Sequence, residues 1–479
     1  MDVSPFVALL LAALLSLLLF ARRRKGSPSS RDGRRRLPPS PPGLPLFGHL
    51  PLLGSLPQRK LRSMAASYGP VMLLRLGRVP TVVVSSAAAA QEVMKARDLA
   101  FASRPRVRMA ERLLYGRDMA FAPYGEYWRQ ARRVCVLHLL SQRRVHSFRH
   151  AREQEAAAMV GRVRRAGAGG RGAGAVNLNA ILISYSNGVI SRAVFGDDGR
   201  SYGLDGGEGE KLAELFADFD ELLGTVTVGE LVPWLAWVDT LMGLDAKAAR
   251  TSEEMGALLD RVITDHRQRR HGNRRREEDD HRDFVDVLLD LVNHPQEMLR
   301  VQDEIRGVVG GGGSDVVTED HLEKLRYLKC VIKETLRLHA PLPLLLPHET
   351  MDDTELLGYH VPARTRVIVN AWAIARDPAT WERADEFVPE RFNGDDDVKT
   401  DYLLGQDFRF VPFGAGRRGC PGVGFAAPAM ELALASLLYH FDWAMPAGGA
   451  SKVEMEELNG LSVRLKAILR LVAKPWYPQ

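Results

Sequence analysis

Cysteine is scarce in this 479-residue chain, which contains only Cys135, Cys330 and Cys420. An odd and sparse count excludes a disulfide framework and favours a reducing compartment. The three are also too far apart in sequence to form the close pairs of a zinc site. A metal role for Cys420 would therefore be that of a single axial ligand.

Charge of one sign is concentrated in one short segment. The formal net charge is +6, and residues 21–36 hold eight Lys and Arg against the single acid Asp32. The rest of the chain is close to neutral, so we do not expect a nucleic-acid-binding surface. We find no internal repeat. With 46% apolar residues, the chain can build a substantial core.

Long hydrophobic runs are limited to the N-terminus, where residues 3–21 are uncharged and mostly apolar. This length suffices to cross a bilayer. Positive charge follows the run, as in a retained anchor with a cytosolic flank, whereas a cleaved signal peptide carries its charge before the run. We predict a membrane anchor over 1–21, a basic and proline-rich linker over 22–45, and one large domain over 46–479.

Helical patterns outnumber β-rich ones, so we predict a mainly α fold with a small β region. The β-rich stretches are 71–86, with a turn near Gly77, and 354–370. Long helical patterns cover 124–165 and 319–340.

Cys420 lies in a glycine-rich, basic stretch, FVPFGAGRRGCPG, at 410–422. A thiolate can hold haem iron from one side, and it needs backbone N–H groups and positive charge nearby. The glycines allow a tight turn, Arg418 supplies charge, and the helix predicted to follow directs its positive end at the sulfur.

The same stretch resembles the haem-binding signature of the cytochrome P-450 family. The resemblance implies the P-450 fold, with 46–479 as a haem-binding catalytic domain and haem b held through Cys420. The residues assigned to haem binding in this turn are Phe413, Gly414, Gly416, Arg418, Cys420 and Gly422.

The resemblance extends over nearly the whole chain and indicates the plant enzymes of specialised metabolism. It implies a monooxygenase that hydroxylates a lipophilic small molecule with O₂. Electrons would come from NADPH through a membrane-bound flavoprotein reductase. The location implied is the endoplasmic reticulum membrane, with the catalytic domain in the cytosol and no nucleic-acid partner.

Further basic residues are assigned to the haem propionates. Trp128 and Arg132, four apart on one helical face, resemble the propionate clamp of the family, and arginine binds carboxylates bidentately. Arg104, His348 and Arg418 stand where the family has further propionate contacts.

Three residues resemble the structural charged triad of the family. Glu334 and Arg337 are three apart and share a helix face. Arg391, in the later PERF stretch, completes the triad. These residues are expected to support the cysteine loop and to have no part in the chemistry.

Other segments are assigned by the same resemblance. Residues 108–125, 340–347 and 459–463 resemble substrate-lining segments and predict an apolar pocket. A basic surface at Arg129, Arg133 and Arg417 is a predicted docking face for an acidic reductase.

One element of the family is not found in the sequence. Residues 283–291 resemble the helix before the long central distal helix, and 292–305 resemble the helix after it, joined at Leu291–Val292. The acid–threonine pair of the central helix is therefore absent, and we assign no catalytic residue. Loss of a buried helix exposes apolar side chains, and burial of each Leu or Phe stabilises a fold by about 1.5–3 kcal/mol. The whole free energy of unfolding of a domain is only about 5–15 kcal/mol. We therefore expect impaired folding, weak haem binding or loss of coupled oxygenation.

Two alternatives to an active monooxygenase stay open. One is a truncated or mis-spliced family member with little or no activity. The other is a haem-thiolate isomerase or dehydratase that needs no oxygen activation.

Overall fold

The computed structural model describes nine stretches of the chain. The predicted anchor over 1–21 and the linker as far as residue 35 lie outside them. The described residues are 36–168, 175–195, 207–269, 284–310, 316–394, 405–446, 457–458, 461–466 and 468–477.

Helices account for most of the described chain, and this confirms the predicted fold class. Short 3₁₀ helices cover Leu50–Leu52, Pro233–Leu235, Pro389–Phe392 and Gly416–Arg418, and π turns cover Glu92–Ala96 and Cys135–Leu139. The α-helices are α1 (Pro57–Tyr68), α2 (Ala87–Gln91), α3 (Arg108–Leu113), α4 (Glu126–Val134), α5 (Gln142–Ser147), α6 (Arg149–Ala168), α7 (Leu178–Phe195), α8 (Gly207–Gly224), α9 (Val228–Leu231), α10 (Ala236–Leu241), α11 (Leu244–Arg269), α12 (Phe284–Asn293), α13 (Pro295–Gly310), α14 (Glu319–Leu322), α15 (Arg326–Leu338), α16 (Ala371–Ile374) and α17 (Val423–His440).

The strands form small sheets at the edge of the helices. They are β1 (Val71–Leu76), β2 (Val79–Val84), β3 (Ala175–Asn177), β4 (His348–Glu349), β5 (Thr354–Leu356), β6 (Tyr359–Val361), β7 (Arg366–Val369), β8 (Phe441–Ala444), β9 (Glu457–Leu458), β10 (Arg464–Leu465) and β11 (Arg470–Pro475).

The largest sheet has four strands in the order β1-β2-β7-β4. The β1–β2 hairpin pairs Val71 with Val84 and turns at Gly77, which has a positive φ of 59°. Strand β7 runs parallel to β2, so this sheet joins the early and late β-rich stretches. A second sheet has the order β3-β11-β8.

The main core is helical and forms around α17. Helices α6, α13, α14 and α15 all contact α17. Among the described residues, α17 is the helix long and apolar enough to cross a membrane, but 67% of it is buried inside the protein. It is therefore a core helix of the domain.

The helical pattern over 124–165 is broken in the structure. Helix α4 runs into the π turn at Cys135–Leu139, where the Leu140 N–H donates to the Cys135 carbonyl at 2.9 Å. This wider turn ends the helix. The backbone at Ser141 is extended, with φ −64° and ψ 147°, and α5 and α6 start anew after it.

The junction at Leu291–Val292 lies inside one continuous helix, α12. Only His294 separates α12 from α13, so residues 284–310 contain no further helix between the two. Pro295 sets this break because proline has no N–H and disfavours helix at the residue before it. The His294 Nδ1 lies 2.7 Å from the Asp290 carbonyl at the end of α12.

Candidate functional site

The loop around Cys420 is a tight turn held by backbone hydrogen bonds. The Cys420 N–H donates to the Phe413 carbonyl at 2.9 Å, and the Gly419 N–H donates to the Gly416 carbonyl at 3.1 Å. Helix α17 begins just beyond, at Val423, so its positive end lies beside the loop. Cys420 is exposed, and a ligand can therefore reach the residue.

Glycine is required at two positions of this loop. Gly414 and Gly416 have φ values of 66° and 65°, which disfavour any side chain. A Cβ on Gly416 would also lie 1.9 Å from the Met94 carbonyl oxygen. Gly422 is close to the thiol, since a Cβ there would lie 3.9 Å from Cys420 Sγ.

The predicted cationic residues lie near one another beside the loop, and two of them face the ring of Trp128. We call Arg104, Arg132, His348 and Arg418 the basic cluster. The guanidinium carbon of Arg418 lies 4.0 Å from the centre of the Trp128 ring, and that of Arg132 lies 5.6 Å from it. Residues from opposite ends of the chain therefore share one site.

Backbone carbonyls hold the basic cluster in place. Arg132 Nη2 donates to the Gly419 carbonyl at 2.8 Å. Arg418 donates through Nε to the Ala102 carbonyl at 2.7 Å and through Nη2 to the Ala122 carbonyl at 2.8 Å. Its remaining nitrogen, Nη1, is buried and has no hydrogen-bond partner among the described residues.

The other three predicted side chains also contact the backbone. Arg104 Nη1 donates to the Leu346 carbonyl at 2.6 Å. The Trp128 indole N–H donates to the Met119 carbonyl at 3.0 Å. The His348 Nδ1 lies 2.8 Å from the carbonyl of Phe101.

Burial lowers pKa values in the basic cluster, and neighbouring like charges add to the effect at Arg104, His348 and Arg418. Burial and the charge of Arg418 lower the pKa of Arg104 to about 9. Burial and Arg132 lower the pKa of Arg418 to about 10. Burial and Arg104 lower the pKa of His348 to about 3. Asp118 opposes the effect on both Arg104 and Arg418, but a bound anion would relieve the repulsion more directly.

The predicted triad residues lie together in the core. Glu334 and Arg337 are fully buried. Glu334 accepts from Arg337 Nε and Nη2 at 2.7 and 2.8 Å, and from Arg391 Nε at 3.0 Å. The Val388 N–H donates to the same carboxylate at 2.8 Å. Glu334 thus joins α15 to the segment that contains Arg391.

A series of aromatic rings in tilted contact connects these charges to the cysteine loop. The guanidinium carbons of Arg337 and Arg391 lie 5.4 and 5.9 Å from the centre of the Trp381 ring. Trp381 contacts Phe392, and Phe392 contacts Phe410, with ring centres 5.7 and 5.4 Å apart. Phe410 is the first residue of the stretch that contains Cys420.

The three predicted substrate-lining segments, 108–125, 340–347 and 459–463, contribute to one group of apolar side chains. Residues 459 and 460 of the last segment lie outside the described residues. Helices α8 and α11 complete the group. We call it the apolar cluster: Met109, Ala110, Leu113, Phe121, Leu222, Leu223 and Ala248, with Leu346 and Leu461 packed against them.

The apolar cluster adjoins the basic cluster. Phe121 precedes Ala122, whose carbonyl accepts from Arg418, and the Leu346 carbonyl accepts from Arg104. The two clusters therefore share a boundary at these two segments.

Trp128, Arg132 and Gly416 line an open groove of about 460 Å³. Arg129 and Arg133 line it together with Val136, and all three are exposed. The third residue of the predicted docking face, Arg417, lines the same groove and pairs with Asp98 at 3.0 Å.

The family model for cytochrome P450 matches residues 38–292 and 287–469. The chain belongs to the cytochrome P450 family. The two matches overlap at 287–292, inside α12. These residues therefore fit both the end of the first matched part of the family model and the start of the second. This overlap agrees with the short connection between α12 and α13.

Curated P450 relatives resemble the chain over almost its whole length. Phenylacetaldehyde oxime monooxygenase CYP71AN24 of Prunus mume is 40% identical over 99% of this chain and 95% of its own. Cytochrome P450 71A1 of Persea americana is 43% identical over 89% and 91%. Norfluorocurarine oxidase of Strychnos sp is 38% identical over 98% and 99%. The chain is therefore a plant-type P450 oxidoreductase.

The P450 cofactor is haem, bound through a cysteine thiolate, and the residues present fit it. Cys420 is exposed beside the positive end of α17. The buried Nη1 of Arg418, which has no hydrogen-bond partner within the described part of the chain, is a donor for an anionic group. Two carboxylates, as on the porphyrin edge, would offset the charge of the basic cluster.

The sequence did not reveal which groups hold the cations of this P450 in place. The acceptors at Phe101, Ala102, Ala120 and Ala122 are backbone carbonyls. Any residue type offers such a carbonyl, so no sequence signal could have identified them.

Replacing Glu334 by alanine is expected to destabilise the fold by about 3–5 kcal/mol, because two buried guanidiniums lose their counter-charge. The measurement is the urea unfolding midpoint. Glu386→Ala is the control, since the Glu386 side chain is 63% exposed and forms an ion pair with Arg383 at 3.5 Å on the surface. Equal losses in both variants would contradict a special role for Glu334.

Replacing His348 by glutamine is expected to change the pH dependence of stability. The folded pKa of His348, about 3, lies below its ordinary 6.5, so between these values only the unfolded chain binds the proton. Stability therefore falls as pH drops through this window, by up to about 1.4 kcal/mol per unit. The measurement is the free energy of urea unfolding of the haem-free protein between pH 7 and 5. This free energy should fall less steeply with decreasing pH in the variant than in the wild type. Parallel curves would refute the prediction.

Proposed function

We propose that this P450 is a haem-thiolate monooxygenase that hydroxylates a lipophilic small molecule with O₂ and electrons from NADPH. The observation that carries the proposal is the position of the basic cluster beside the Cys420 loop. The loop offers the Cys420 thiolate, and the basic cluster offers hydrogen-bond donors for carboxylates. This combination suits a flat dianionic cofactor with a metal at its centre.

Each residue has a distinct proposed role. Cys420 would hold the haem iron through its thiolate, beside the positive end of α17. Arg132 and Arg418, which both face the ring of Trp128, would bind the propionates. His348 is neutral at pH 7 because its pKa is about 3, so it offers a hydrogen bond without adding charge. Haem, when bound, supplies the oxygen-activating chemistry.

The apolar cluster supports a lipophilic substrate. Its side chains come from three loops and three helices, and they adjoin the basic cluster at Phe121 and Leu346. Burying apolar surface there would favour binding of a hydrophobic molecule.

The groove at Arg129 and Arg133 supports docking of an acidic flavoprotein reductase. Arg132, the proposed propionate ligand, also lines this groove. The exposed cations of the groove would steer an acidic partner to this face. We also propose that residues 1–21 anchor the protein in the endoplasmic reticulum membrane with the catalytic domain in the cytosol.

The short α12–α13 connection favours a second candidate function. With only His294 between these helices, the described residues supply no acid–threonine pair over the site. A truncated or mis-spliced family member with little or no activity fits this feature. A haem-thiolate isomerase or dehydratase fits it as well.

The dependence of turnover on NADPH and O₂ separates these candidates. Product that requires both supports the monooxygenase. Product formed at full rate without them supports the isomerase or dehydratase. Purified protein that contains no haem supports the truncated product.

Replacing Cys420 by alanine is expected to abolish the thiolate Soret band in the reduced carbon-monoxide difference spectrum. The reason is that the variant has no anionic sulfur to donate to iron. Cys135→Ala is the matched control and should keep the band. If the band survives in Cys420→Ala, the ligand lies elsewhere.

Replacing Arg132 by alanine is expected to weaken haem retention by about 2 kcal/mol, or roughly thirtyfold, through loss of a charge-assisted hydrogen bond. Transfer of haem to apomyoglobin measures the retention. Arg129 is exposed and lies three residues before Arg132 on the same helix. The control variant Arg129→Ala should leave haem retention unchanged. Equal retention in both variants would remove Arg132 from the clamp.

A further inference from the structure

The open groove along α4 changes in character from one end to the other. Its lining residues from this part of the chain are first Arg129, Arg132 and Arg133, and then Val136 and Leu137. Residues three, four and seven apart share one face of a helix. At a rise of about 1.5 Å per residue, Arg129 and Leu137 are separated by about 12 Å along the axis. The groove therefore has a cationic end and an apolar end.

Two cations of the groove are available to a partner. Arg417, from the cysteine loop, pairs with Asp98 at 3.0 Å. Arg129 and Arg133 are exposed and form no ion pair among the described residues. The guanidinium carbon of Arg129 lies 5.7 Å from the centre of the Tyr124 ring, which brings no counter-charge. An acidic group that enters the groove would therefore meet two positive charges that the described chain does not itself neutralise.

The apolar end of the groove is also open to solvent. Val136 is 39% exposed and Leu137 is 55% exposed, and both belong to the π turn that ends α4. Gly416, which lines the same groove, has no side chain that could cover them. The nearby Leu140, in contrast, packs against the main core. Two adjacent apolar side chains thus remain for a partner to cover, beside two free cations.

We propose that Val136 and Leu137 determine how long the reductase stays bound. The groove takes a segment of the reductase in which carboxylates stand beside an apolar side chain. The carboxylates face Arg129 and Arg133 and set the rate of encounter. The apolar side chain covers Leu137, and loss of this contact limits dissociation. The inference deepens the proposed function and rests on its reductase partner.

Bio-layer interferometry at two salt concentrations tests the proposal. The full-length protein is held in nanodiscs, and the probe is a soluble plant NADPH-dependent P450 reductase without its membrane anchor. Raising the salt from about 0.1 to 1 M shortens the screening length from about 10 to 3 Å. Association should then slow, while dissociation should change little because the apolar contact is not screened. No binding at the lower salt, or dissociation that rises as steeply as association falls, overturns the proposal.

Matched variants separate the two ends of the groove. Leu137→Ser should raise the dissociation rate about tenfold at unchanged association rate, and Leu137→Met should keep the slow dissociation. Arg133→Gln should slow association instead. The control is Leu299→Ser, at a position that is 61% exposed on α13, and it should change neither rate. Dissociation that is unchanged in Leu137→Ser, or equally raised in Leu299→Ser, overturns the proposal. Because Leu137 is exposed, its replacement should leave the fold intact.

Failure of the proposed function gives a different result. Interferometry measures binding whether or not the protein turns over a substrate. A reductase whose residence time depends on Leu137, but which supports no NADPH-dependent product, would overturn the monooxygenase and leave the role of the groove intact. NADPH-dependent product together with wild-type dissociation in Leu137→Ser would overturn only the role of the apolar end.

Discussion

A carboxylate removed from water and surrounded by guanidinium groups is the constraint on which this P450 depends. Glu334 has no exposed side-chain surface, and its charge can persist in the core only because Arg337 and Arg391 pair with it. The same contacts fix the distance between α15 and the segment that leads to the cysteine loop. Through Trp381 and the rings of Phe392 and Phe410, this buried ion network supports the geometry around Cys420.

The cationic site near Cys420 has the opposite balance. Three guanidiniums and a histidine share a small volume, and burial together with mutual repulsion lowers the pKa of Arg104 and Arg418. Backbone carbonyls offset part of this cost. A dianionic cofactor would offset more of it, so binding and folding are thermodynamically linked at this site.

Local pattern revealed the turn at Cys420, the helix of Trp128 and Arg132, and the mainly helical fold. These follow from glycine placement, residue spacing and periodicity, all of which lie within short stretches. The supporting carbonyls and the exposure of Leu137 depend on how distant segments of the chain pack. In sequence, Leu137 looks the same as Leu140, which packs against the main core, and only the tertiary packing separates them. The break at Pro295, in contrast, follows directly from proline chemistry.

The contacts of the basic cluster also have a consequence for synthesis on the ribosome. Arg132 meets a carbonyl 287 residues further along the chain, and Arg418 meets one 316 residues before it. At about 5–20 residues per second, roughly 15 to 60 s pass between translation of Arg132 and of its partner. During that interval Arg132 and Ala102 have been synthesised, but their hydrogen-bond partners Gly419 and Arg418 have not. Capture of the prosthetic group must therefore come near the end of translation or after release.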